Sequence, residues 1–185
     1  MLKIMEEIIS QLKQISAGAQ DSFGRLSAGQ INWKPSGESW SVGQCFEHLI
    51  KTNEMFYDQL ERIADGTRRN SFLENYSPLS GFFGRFLIKS LKSDEKKFKA
   101  PSPKIVPPSE IDPHIIEIFA GHQTEFIGKI NDAKSADLKK IVITSPFLKF
   151  MTYKFTQAMT AMVEHEKRHI RQAERVRQTE GFPAD

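Results

Sequence analysis

Apolar residues recur along this chain at steps of three and four, the spacing of an α-helix with one buried face. Met1, Met5, Ile8, Leu12, Ile15 and Ala19 set the first such stripe, which predicts a helix ending near Gly24. A polar linker over 26–41 follows, with Gly29, Pro35 and Gly37 in it. Trp33 and Trp40 are its anchors, since each ring has a large surface to bury. Ser41, with Gln44 three residues on, reads as a capping box that opens a second helix. Val42, Cys45, Leu49, Thr52, Phe56, Leu60 and Ile63 form its inward face, and Gly66 stops it.

The middle third is less regular. Residues 80–91 form a short amphipathic helix with Phe82, Phe83, Phe86 and Leu87 clustered and Lys and Arg at its flanks. A membrane-surface or partner-binding role is weighed for it; a helix packed across the mouth of a bundle is the preferred reading. Residues 92–113 are rich in Lys, Ser and Pro, an irregular connection expected to pass near the pocket. Asp112 then caps a third long helix with Pro113 at its first position, and Ile115, Phe119, His122, Phe126, Ile130 and Ala133 form its stripe. A polar link over 131–140 and an extended piece over 141–143 lead to Thr152, read as the N-cap of the last helix.

That last helix carries the candidate chemistry. Its inward stripe runs Phe155, Ala158, Met162, His165, His169, Gln172, Val176, so two imidazoles and an amide stand where packing alone would ask for Leu or Ile. His165 and His169, four apart, stack on one helical face and are a ready chelate for a divalent cation. His165-Glu166-Lys167-Arg168-His169 also matches the H-E-x-x-H pattern of zinc proteases. The match is not adopted: only 16 residues follow in which to find a third ligand, and Lys167 and Arg168 predict a solvated turn where a protease would bury one. His48 borders the inward face of the second helix and is a candidate third ligand. Cys45 is read as a small buried hydrophobe rather than a fourth ligand or reactive thiol. His122 faces inward and is read as lining the pocket, and His114 as solvated.

Composition narrows the class. With 39% hydrophobic and 26% charged residues the chain can bury a core, which excludes a mainly disordered protein, and 185 residues fit a single domain over 1–185. A net charge of +3, with both signs interleaved, asks for no nucleic acid partner. The N-terminus carries acids within its periodicity and does not read as a signal peptide, and no run is long enough to span a membrane. The single Cys45 excludes a disulfide framework, so a reducing cytoplasm is expected.

A Trp-Lys-Pro loop at Trp33–Pro35, Trp40-Ser41 at a helix start, and His48 seven residues after that Ser resemble the N-terminal half of the DinB-like family. Ser145 to Thr152, followed by His165-x-x-x-His169-x-x-Gln172, resembles its other half. The resemblance implies an all-α, four-helix bundle, here with an extra short helix and long loops between helices 2 and 3. It implies a divalent transition metal, Zn or Ni foremost, held by His48, His165 and His169 with coordination positions left open. Characterised members include transferases that activate a low-molecular-weight thiol and pass it to an electrophile, so a thiol S-transferase or isomerase is the first expectation. The alternatives are a metal-dependent hydrolase and a non-catalytic, metal-stabilised stress-response or interaction module. Gln172, Glu166 and Glu47 are the candidate orienting or basic groups, with Glu164 considered beside them; the three carboxylates are read as solvated. The expected partner is a small-molecule substrate, with neither nucleic acid nor membrane, and a bundle of this size could pair as a homodimer through an exposed face.

Overall fold

A computed structural model describes residues 2–93, 102–134, 137–138 and 140–184. Met1 of the expected first helix, residues 94–101 of the Pro-rich connection and positions 135, 136 and 139 of the polar link lie outside that set. The elements are α1 (Leu2–Phe23), α2 (Ala28–Asn32), α3 (Val42–Glu54), α4 (Tyr57–Ala64), α5 (Phe72–Tyr76), α6 (Ser80–Lys92), a 3₁₀ turn at Pro103–Ile105, α7 (Ile115–Ala133), β1 (Val142–Thr144), β2 (Thr152–Lys154) and α8 (Phe155–Arg177). The protein is mostly helical, and four long segments make the bundle. α1 packs on α7 and α8, α3 packs on the same two, and α4 continues along α7.

The predicted stripes are the buried faces. Met5, Ile8, Leu12, Phe126, Ile130, Phe155 and Met159 meet in one apolar cluster, and Ala19, Phe23, Phe46, Leu49, Ile115 and Phe119 in a second. Phe46 stands edge-on to both Phe23 and Phe119, with ring centroids 5.3 and 5.1 Å away. Each such ring contributes about 1.5–3 kcal/mol through burial alone. Between the two clusters, at matching heights on α3, α7 and α8, the buried positions turn polar: His48, Thr52 and Asn53, then His122 and Gln123, then Glu166.

Several elements depart from the sequence reading. The second helix is not continuous: at Met55–Phe56 it tightens, the Phe56 N–H donating to Asn53 O three residues back at 3.0 Å, and α4 restarts at Tyr57. The 26–41 linker contains α2, closed by a reciprocal Ser27–Gln30 capping box, and Ser71–Glu74 builds the same device at α5. α7 starts two residues beyond Pro113, and Asp112 accepts from the His114 N–H in the turn before it. Thr152 is no helix cap. It lies in a two-stranded antiparallel hairpin opposite Thr144, fully buried, its hydroxyl 2.8 Å from that of Ser80.

α6 packs across the outside of α8 and on β2. Gly84 permits the approach, because a Cβ there would fall 2.8 Å from Gln157 Cβ and 2.4 Å from its Oε1. The turn at Lys167–Arg168, expected to be solvated, is half-buried: Arg168 Nη1 donates to Ser93 O at the end of this helix at 2.6 Å, and Lys167 Nζ donates to Gln11 Oε1 on α1 at 2.6 Å.

Candidate metal centre

α3 and α8 pack side by side, and their facing stripes bring His48 against His165 and His169. One ring nitrogen from each lies within 4.8 Å of the others. His48 is buried, while the other two keep a little surface. The tautomer of His48 follows from its partner: Nδ1–H donates to Ile105 O at 2.7 Å, which leaves the Nε2 lone pair facing His165 Nε2 at 3.2 Å. The 3₁₀ turn that supplies Ile105 belongs to the connection expected near the pocket, and the part of it described here touches the site.

Burial sets the charge state. It holds His48 below its ordinary pKa, and it drives His165 well below, where His169 and His48 add like-charge repulsion. His169 is pushed down to about 3 by burial, then by His48 and Arg168, against the support of its hydrogen bond to the Gln172 side chain. All three imidazoles are therefore neutral at neutral pH, and each keeps a lone pair. Nδ1 of both His165 and His169 is buried with no hydrogen-bond partner. A layer of converging, under-bonded, neutral imidazoles fits a transition metal, because ring nitrogens of His165 and His169 have no hydrogen-bond partner among the described residues. Trp40 walls the site, stacked on His169 at 5.7 Å and tilted over His48 at 4.9 Å.

The other candidates fall elsewhere. Glu166, expected to be solvated, is fully buried and turns away from the histidines. Its Oε1 accepts from Asn53 Nδ2 at 2.8 Å and its Oε2 from Gln123 Nε2. Burial pushes its carboxyl up to about 7, while the two amide bonds pull the other way. The carboxylate that H-E-x-x-H would require as a base is thus spent on holding α8 to α3 and α7. Glu47 pairs with Lys51 at 3.3 Å and Glu164 with Lys167 at 3.4 Å, both partly exposed ion pairs of small energetic weight. Gln172 remains beside His169. His122 is outside the cluster: its Nδ1 lies 3.1 Å from the Tyr57 hydroxyl, and its ring lies nearly parallel to those of Tyr57 and Phe126, with centroids 5.8 and 6.2 Å away. Cys45 is buried, its thiol pushed up to about 12 by desolvation, as suits a small apolar residue.

Four contributors were missed: the Ile105 carbonyl, Trp40 as a wall rather than a mere anchor, and the amides of Asn53 and Gln123. A polar side chain within an otherwise apolar stretch was the available signal for the two amides.

A helical bundle whose middle layer gathers three neutral imidazoles carries a three-histidine cluster that could hold a metal ion. The family profile of the DinB superfamily matches residues 11–173, and the chain belongs to that superfamily. No curated protein and no solved structure matches it. No helix among the described residues is long and apolar enough to cross a membrane.

Proposed function

We propose that this protein is a metal-dependent S-transferase or isomerase, acting on a low-molecular-weight thiol and an electrophile, with a divalent metal such as Zn or Ni held by His48, His165 and His169. The observation that carries it is the donor set: three neutral imidazoles with no carboxylate among them. A divalent cation on such a set keeps its full charge and supplies a Lewis acid that lowers the pKa of a thiol or water beside it. The protein's part is to hold and shield. Ile105 O fixes the His48 tautomer, Gln172 steadies His169, and Trp40 keeps water from one side of the pair. In the transfer the thiol sulfur forms a C–S bond, the electrophile gives up its leaving group, and the thiol proton departs with that group.

Hydrolysis is supported less well. Water attack calls for a base beside the metal, and Glu166 and Glu47 are both engaged elsewhere. The test is metal analysis of the untagged protein beside His48→Ala, followed by a thiol panel offered an electrophile with and without metal. About one transition metal per chain, lost in the variant, and thiol consumption that requires the metal are expected. No metal after reconstitution refutes the site. Ester or amide turnover without thiol replaces the transferase by the hydrolase, and a metal that raises the melting temperature while no substrate reacts leaves a structural module.

A further inference from the structure

The outer face of α6 and the short helix before it form a surface that the site does not use. Six of the ten exposed large apolar residues among the described ones fall between 72 and 86: Phe72, Leu73, Tyr76, Leu79, Phe82 and Phe86. Phe72 is 79% and Tyr76 71% exposed, and Phe82 and Phe86 are more than half exposed, so the rings project from the body. They pair with one another along their own helices, Phe72 with Tyr76 at 4.8 Å and Phe82 with Phe86 at 6.3 Å. Exposed apolar side chains concentrated in this way in one stretch of the chain mark an interaction site.

Its charge is one-sided. From Gly66 to Lys92 the sequence holds five cations and one acid, Glu74. That acid is buried and taken by Arg68 at 2.8 Å. The exposed charges left are Arg69, Arg85, Lys89 and Lys92, and none of these pairs with an acid among the described residues. Phe82, Arg85, Phe86 and Lys89 follow one another at steps of three, one and three, which sets rings and cations on one face of α6.

We infer that this face docks on an anionic lipid surface, the rings entering the acyl boundary and the cations meeting the headgroups. A projecting aromatic ridge bordered by Lys and Arg is the composition of an interfacial anchor, and it supplies the two signals, apolar and electrostatic, that stable attachment needs. A second copy of the chain fits poorly, because a two-fold interface would set four cations against the same four with no exposed acid from residues 66–92 between them. The aliphatic side chains of Leu73 and Leu79 in the ridge suit acyl chains better than stacked bases.

The test is co-sedimentation of the full-length protein with phosphatidylcholine vesicles and with phosphatidylcholine–phosphatidylglycerol vesicles. Phe82→Ser/Phe86→Ser and Arg85→Gln/Lys89→Gln/Lys92→Gln are run in parallel, with circular dichroism as a check that both remain folded. Wild type should bind only the anionic vesicles and be released by salt. Each cation near such a surface adds about fivefold in partitioning, so the triple Gln variant should lose on the order of a hundredfold; the double Ser variant should lose at least tenfold. Failure of wild type to bind anionic vesicles overturns the inference, as does equal binding by both variants. A dimer in solution abolished by the double Ser variant would assign the face to a second copy, and retention of a single-stranded oligonucleotide without vesicle binding would assign it to nucleic acid.

Discussion

Removing the Glu166 carboxylate should unsettle the bundle in a way that depends on Asn53. Asn53, Gln123 and Glu166 are all at most 1% exposed, so none of their polar atoms has water to fall back on. In Glu166→Ala, Asn53 Nδ2 and Gln123 Nε2 lose their acceptor together, each buried orphan costing about 1–3 kcal/mol. Some of that is returned because a buried carboxylate no longer has to be desolvated, and a net loss of roughly 3–5 kcal/mol remains. Asn53→Ala should cost roughly 2 kcal/mol. The double variant should fall short of the sum by about 1–2 kcal/mol, since the second change removes a partner already stranded. Glu166→Gln should lie between wild type and Ala, because Asn53 Oδ1, which has no partner, can turn to meet the new amide. The assay is equilibrium urea unfolding of the metal-free protein, which keeps metal linkage out of the cycle. Additivity within about 0.5 kcal/mol would refute the coupling, and an unchanged midpoint in Glu166→Ala would refute the buried-clamp reading altogether.

His122 gives a pH prediction. Burial lowers it from 6.5 to about 4, so between those values the unfolded chain binds the extra proton and stability falls as the pH falls. Comparison with His122→Phe, which keeps the stack on Tyr57, should isolate a loss of roughly 2 kcal/mol across that window after allowing for solvent screening at the ring edge; parallel acid-unfolding curves for the two proteins would contradict it. Gly84→Ala sets better helix propensity, a gain of about 1 kcal/mol, against a Cβ that would sit 2.8 Å from Gln157 Cβ. The overlap, about 1–3 kcal/mol, should win, and a raised melting temperature would show that α6 does not seat on α8 as described.

The long helices were legible because each buries one face and leaves its period in the sequence. The stripes through Met5 and Leu12 and through Phe119 and Phe126 are the core almost residue for residue. His165 and His169 stood out for the same reason, imidazoles at positions where the period asks for Leu, whereas His48, at the border of its helix's inward face, was singled out by the family resemblance. Glu166 was misread because a stripe argument grants a helix one buried side. α8 has more than one, with α6 across its outside and α3 and α7 gripping Glu166. Thr152 carries a capping side chain, and only its pairing with Thr144 reveals a strand. The capping boxes at Ser27 and Ser71 were present in the sequence, but helices of five residues bury too little to leave a period.

The polar layer divides the bundle into two small oily compartments joined at a hydrophilic waist. Oil compartments tolerate small rotations of a helix, since apolar contacts have little directional preference; amide–carboxylate bonds and converging ring nitrogens do not. The waist is therefore the gauge of the assembly. The same three helices that must be in register for Asn53 and Gln123 to reach one carboxylate are, by that fact, in register for His48 to meet His165, so the alignment of the imidazoles is inherited from a contact that never touches them.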